Sequence, residues 1–173
     1  MAARLTLVLG GARSGKSRYA ETLVTALPPP WIYAATGQGL DAEMAARIEA
    51  HRERRGAGWT TIEAPLDLAA ALAAHGNAPV LVDCLTLWLS NLMMAEAPIE
   101  PEIDRLARAL AEAAAPVVLV ANEVGSGIVP DNALARRFRD QQGGLNQRIA
   151  AQADQVVLVV AGLPLYLKGR PTE

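Results

Sequence analysis

The run Gly10-Gly11-Ala12-Arg13-Ser14-Gly15-Lys16-Ser17 constrains this chain more than any other feature. It satisfies the spacing G-x-x-x-x-G-K-[ST]. Its context matters as much as its letters. Leu5–Leu9 before it is apolar at every position and reads as a buried strand, and Ser17–Leu27 after it reads as a helix. Glycines in such a junction let several backbone N–H groups turn toward one anion, and the helix N-terminus adds partial positive charge. Lys16 would reach the outer phosphates of a nucleotide, and the Ser17 hydroxyl would ligate Mg²⁺.

Strand-like runs recur at Trp31–Ala35, Val80–Val82, Val117–Ala121 and Val156–Val160. Helical patterns fill the intervals. Leu66–Ala74 is short and Ala-rich. Ile103, Leu106, Ala107 and Leu110 share a face of a helix that starts near Pro101 and is stopped by Pro116. Leu134, Ala135 and Phe138 share another between Asp131 and Gln142. Alternating strands and helices predict an α/β fold, a mostly parallel sheet with helices on both faces. With 173 residues and neither repeat nor linker, residues 1–173 read as a single nucleotide-binding domain.

Composition excludes other classes. Hydrophobic residues at 51% and charged residues at 20% do not describe a disordered chain. With 16 Lys+Arg against 18 Asp+Glu there is no global basic field for nucleic acid or anionic lipid. The single Cys84 rules out an intramolecular disulfide and a Cys-rich zinc site. The tail run Val156–Leu167 falls short of the ~20 apolar residues of a spanning helix. Leu5–Leu9 is too short for a signal peptide, so a cytoplasmic protein is expected.

Other residues carry chemistry less specifically. Asp83, after Val80-Leu81-Val82, suits a second Mg²⁺ ligand, although an Asp there also suits a helix N-cap. His51 lies in a helical pattern, Asp41 to Arg55, with Arg47 and Arg55 on its side and Arg52 and Arg54 adjacent. A neutral imidazole among guanidiniums is a good nucleophile toward a polyphosphate. The same pattern also describes a solvated helix face, and the residues alone leave both open. Glu63, after Trp59-Thr60-Thr61-Ile62, could accept hydrogen bonds from a guanine edge. The Gly-rich stretch from Asn122 and Glu123 to Pro130 follows a strand, where open α/β sheets bind ligands. Phe138 to Arg148 places Gly143-Gly144 between two helical stretches, suiting a substrate contact, a subunit contact or solvated helix ends. His75, in His-Gly-Asn, reads as a surface turn.

Taken in order, the motifs are distinctive. After the glycine-rich run come Ala35-Thr36, Asp-x-Glu-Met-x-x-Arg-Ile-x-x-His-Arg and Trp59-x-Thr61-x-Glu63. Then follow Asp83-Cys-Leu-Thr-Leu-Trp-Leu-Ser-Asn-Leu-Met93, Asn-Glu-Val-Gly-x-Gly-Ile-Val-Pro and Phe-Arg-Asp-x-x-Gly-x-x-Asn-Gln. Together, from about Leu5 to Lys168, they resemble the bifunctional adenosylcobinamide kinase/adenosylcobinamide-phosphate guanylyltransferase family of cobalamin biosynthesis. The resemblance implies a RecA-like sheet with one antiparallel strand and a homotrimer with sites at subunit interfaces. It implies ATP and GTP as substrates, Mg²⁺ as cofactor and adenosylcobinamide as acceptor. It matches His51 to the family's guanylylated histidine and Lys16 to its phosphate loop. It matches Ala35, Thr36, Gly37, Arg52, Glu53, Arg54, Arg55, Glu63 and Asp83 to positions lining the GTP site. One departure is Arg55-Gly56, where the family often has Arg-Pro. Two rival readings of the same loop are another small-molecule kinase and a non-catalytic nucleotide switch or assembly ATPase.

Overall fold

Strands that are apolar at every position need cover on both faces, and the chain provides it. A computed structural model describes residues 3–38 and 56–169. The expected helix around His51, with Arg52, Glu53, Arg54 and Arg55, lies outside the described residues. Strand β1 (Leu5–Gly10) leads through the glycine-rich loop into helix α1 (Lys16–Thr25). Strands β2 (Trp31–Ala35) and β3 (Trp59–Glu63) follow, then α2 (Leu68–His75), β4 (Val80–Asp83) and α3 (Leu85–Met94). The chain continues through α4 (Ile99–Glu112), β5 (Val117–Asn122), α5 (Ala133–Gln152), β6 (Gln155–Val160) and β7 (Leu163–Lys168).

The seven strands form one sheet in the order β3-β2-β4-β5-β1-β6-β7. All pairings are parallel except β6 with β7. Strand β1 sits between β5 and β6 and is buried along its length. Side-chain alternation splits the core in two. Leu7, Val82 and Leu119 meet α2–α5, with Trp88, Leu106, Leu145 and Ile149 fully buried. Val8, Leu81, Val120 and Val159 meet α1 through Ala20 and Val24. Full burial of one such Leu or Val contributes about 1.5–3 kcal/mol, so these two layers fix the strand order.

Both edge strands depart from the apolar-run pattern. Strand β3 alternates Trp59, Thr61 and Glu63 against Thr60 and Ile62, because only one neighbour and part of one face cover it. Strand β7 carries Pro164, tolerated where one side of the strand has no ladder partner. Its hairpin turn, Ala161-Gly162, has positive φ at both residues (52° and 79°), the geometry that matches strand twist.

Helix α5 corrects one expectation. Gly143-Gly144 does not break it; the helix runs unbroken from Ala133 to Gln152. Each mid-helix glycine costs about 1 kcal/mol relative to alanine. Buried Leu145 and Ile149 offset this, as does an i,i+4 bond in which Gln142 Nε2 donates to Asn146 Oδ1 at 2.8 Å. Proline is likewise no obstacle in α4, where Pro101 lies in the first turn and no interior N–H is lost. His75 is half-buried rather than free on the surface, its Nδ1 3.0 Å from the Ala71 carbonyl at the end of α2.

Exposed Gly144 has open space around an added Cβ. Gly144→Ala is therefore expected to raise unfolding stability by about 0.5–1 kcal/mol, read as a higher urea midpoint at unchanged slope.

Candidate nucleotide site

The last residues of five parallel strands are Gly10, Ala35, Glu63, Asp83 and Asn122. They sit at the same end of the sheet, where open α/β folds bind ligands. Alternation also sets their face. Gly10 follows Val8, Asp83 follows Leu81, Asn122 follows Val120 and Glu63 follows Trp59 and Thr61, placing all four on the α1 face.

Residues 10–17 are held from several directions. Gly10 O accepts from Glu123 N (3.1 Å), Gly11 O from Ser14 N (3.3 Å) and Ser14 O from Gly162 N (2.8 Å). Arg13 (φ 55°) and Gly15 (φ 92°) take left-handed conformations that turn the loop. A Cβ on Gly10 would lie 2.4 Å from Ser14 Oγ and 2.7 Å from Val159 O, so only glycine fits. Ala12 is exposed at the loop's outer curve. Buried Lys16 donates through Nζ to Gly11 O at 3.0 Å, folding its ammonium back over the loop. Ser17 is half-buried in the first turn of α1.

Asp83 ends β4, with β5 between it and β1, so it stands about 10 Å from the loop strand. Tyr33 Oη donates to Asp83 Oδ2 at 3.1 Å and fixes the carboxylate. The Asp83–Cys84 peptide is cis. Burial pushes the Cys84 thiol up to about 11, with the Asp83 charge adding and Lys16 opposing. The chain's one cysteine is thus a protonated core residue and not a nucleophile.

Thr36, matched by the family likeness to the nucleotide site, has a structural role at the edge of the sheet. It is 0% exposed. Its hydroxyl donates to Cys84 O and accepts from Cys84 N, both at 2.7 Å. Its carbonyl accepts from Asn91 Nδ2 at 2.8 Å and its N–H donates to Asp83 O at 3.2 Å. Thr36 therefore ties the end of β2 to the turn after β4 and positions Asp83. Gly37 and Ala35 are half-buried beside it. Glu63 is exposed on the edge strand, paired in register with Ala35, which pairs with Asp83. Four strand intervals separate Glu63 from β1, about 19 Å.

The structure also redistributes the less specific residues. Glu123 does not extend freely into the site: its Oε1 accepts from Gly125 N at 2.6 Å and shapes the loop after β5. Gln142 and Asn146 are buried in α5, and Arg148 pairs with Asp104 on α4. Sequence reasoning missed Tyr33, hidden inside a strand-like run. Its signal was a hydroxyl two residues before the β2 end; Tyr33 pairs in register with Leu81 and shares the face of Asp83.

An anion-binding turn, and a carboxylate two strands away on the same face, make this a P-loop nucleotide-binding protein with a RecA-like sheet. Solved structures share the fold. The flagellar accessory protein FlaH from Methanocaldococcus jannaschii has a TM-score of 0.56 at 12% identity, over 96% of this chain and 79% of that one. The RadB recombinase has a TM-score of 0.53 at 17% identity, over 89% and 73%. Closer likeness lies in sequence. The family model for cobinamide kinase / cobinamide phosphate guanyltransferase matches residues 6–167, and the chain belongs to that family. It is 48% identical to the bifunctional adenosylcobalamin biosynthesis protein CobP of Pseudomonas aeruginosa, over 95% of this chain and 98% of that protein. It is 45% identical to the protein CobU of Salmonella typhimurium, over 95% and 99%.

Thr36→Val keeps the shape and removes the hydroxyl, leaving Cys84 N unpaired in the core, while Cys84 O keeps its bond from Trp88 N. The expected loss is roughly 1–3 kcal/mol of stability, checked by denaturant unfolding.

Proposed function

We propose that this chain phosphorylates adenosylcobinamide and then transfers GMP from GTP onto the new phosphate through a histidine–GMP intermediate on His51. The observation that carries the reading is convergence. The glycine-rich loop, Asp83, Asn122 and Glu63 share one end and one face of the sheet, in a chain of this family.

In the phosphorylation step the N–H groups of the loop and Lys16 hold the β- and γ-phosphates of ATP or GTP. The substrate hydroxyl attacks the γ-phosphorus, the bond to the diphosphate breaks and the hydroxyl proton leaves to solvent. Ser17 and Asp83 supply a hydroxyl and a carboxylate, hard oxygen donors that suit Mg²⁺. Among the described residues no cluster of three or more His, Cys, Asp or Glu gathers, so phosphate oxygens would complete the shell. When bound, Mg²⁺ neutralises charge on the departing phosphates. Tyr33 and Thr36 keep the Asp83 carboxylate in place.

In the guanylylation step a nitrogen of His51 attacks the α-phosphorus of GTP and pyrophosphate leaves. A phosphate oxygen of the substrate then attacks the same phosphorus and the N–P bond breaks. Arg52, Arg54 and Arg55 offset the charge of the phosphates, with Glu53 in the same run. With phosphates in the loop, the base must extend across β5 and β4 toward β2 for Glu63 to accept from its edge. The two steps attack different phosphorus atoms, so the nucleotide or His51 shifts between them.

We further read the protein as a homotrimer acting in the cytoplasm. Leu163, Leu165 and Leu167 line one face of edge strand β7 and all are more than half exposed, an apolar stripe that suits a subunit contact. No helix among the described residues is long and apolar enough to cross a membrane.

With α-labelled GTP, His51→Ala is expected to abolish acid-labile labelling of the protein while sparing cobinamide phosphorylation. Lys16→Ala should impair both steps. A labelled His51→Ala protein overturns the intermediate. Light scattering should give the mass of three chains, and Leu165→Glu should lower it.

A further inference from the structure

Asn122 ends the strand between Asp83 and the phosphate loop, and it is the register partner of Gly10. Its backbone is fixed by side chains instead of by the sheet. Asn122 N donates to Thr86 Oγ1 at 2.7 Å, and Asn122 O accepts from Asn146 Nδ2 at 3.1 Å. Asn146 is held in turn by Gln142, a 0% exposed residue one helical turn away. These bonds hold the end of β5 in one position. Yet the Asn122 carboxamide oxygen is buried and has no hydrogen-bond partner. The Ser14 hydroxyl, beside Gly10, is buried and unpartnered too.

An unpaired buried carbonyl is destabilising, so a held one at a ligand-binding edge implies a partner from outside the chain. Gln142 Oε1, inside α5, is the third orphaned oxygen among the described residues; the Ser14 and Asn122 oxygens, at the ligand end, differ in whether they can donate. A hydroxyl such as Ser14 can donate to a phosphate oxygen. A carboxamide oxygen cannot, because phosphate oxygens are acceptors. We propose that Asn122 Oδ1 receives a hydrogen bond from an O–H group that arrives with the bound nucleotide, and that Thr86 and Asn146 are its positioning residues. The O–H belongs either to water carried by a divalent cation on the phosphates or to the phosphoryl-accepting alcohol. The second source rests on the kinase reading above; the first does not.

Calorimetric titration of the full chain with a non-hydrolysable GTP analogue, in Mg²⁺ and in EDTA, separates the sources. Asn122→Leu removes the acceptor, and Asn122→Asp keeps one. If Leu does not fold, Asn122→Ala replaces it. With cation-borne water as donor, Asn122→Leu lowers affinity about three- to tenfold in Mg²⁺ only, and Asn122→Asp retains it. With the alcohol as donor, both variants bind the analogue like the parent. Asn122→Leu then lowers kcat for adenosylcobinamide phosphorylation by a similar factor, and Asn122→Asp restores it. Affinity lost equally in EDTA, as a carboxamide N–H donating to phosphate requires, overturns the proposal. So do variants indistinguishable from the parent in every measurement. A parent that does not phosphorylate adenosylcobinamide removes the kinase reading, and the calorimetry then decides alone.

Discussion

Everything at the ligand end of this protein depends on where β1 stops. The strand is hydrogen-bonded on both sides and covered on both faces, so Gly10 is delivered to one place. A loop of backbone N–H groups gathers anions only if its ends are fixed. Here Glu123, Gly162 and the start of α1 all bond to it. Preorganisation of this kind is prepaid by the apolar core, which sets the loop's N–H groups in place before a ligand arrives.

Around that point the protein builds its polar edge by indirect support. Thr36 and Asn91 close the end of β2 over the end of β4. Tyr33 holds Asp83, and Thr86 with Asn146 holds the last residue of β5. The supporting bonds are buried or partly buried, where they face less competition from water and their loss costs more. Site geometry and fold stability therefore draw on the same contacts.

Much of this was legible in the sequence. The five apolar runs became strands, and the glycine-rich motif lies between β1 and α1 as its spacing requires. The edge strands were harder to read because strands covered on fewer sides do not need continuous apolar runs, as Trp59–Glu63 and Leu163–Lys168 show. Gly143-Gly144 suggested a break, but tertiary burial of Leu145 and Ile149 outweighed propensity. The family likeness pointed to Thr36, but not to the bonds it makes to Cys84 and Asp83. Whether a threonine meets a ligand or a neighbouring backbone is decided by strand order, which no local pattern reveals. The same holds for Asn122, whose significance lies in being adjacent to Gly10 across more than a hundred residues of chain.

The antiparallel hairpin at the C-terminal end has a consequence of its own. Its Ala161-Gly162 turn donates to the phosphate loop through Gly162 N, Gly162 Cα lies 3.2 Å from where a Gly15 Cβ would be, and Tyr166 bonds Tyr19 on α1. The anion cradle is thus cast against a mould that lies far from it in sequence. Until β7 has paired with β6, the glycine-rich motif lacks one of its walls. Loosening that hairpin should therefore weaken nucleotide capture without touching any residue of the motif.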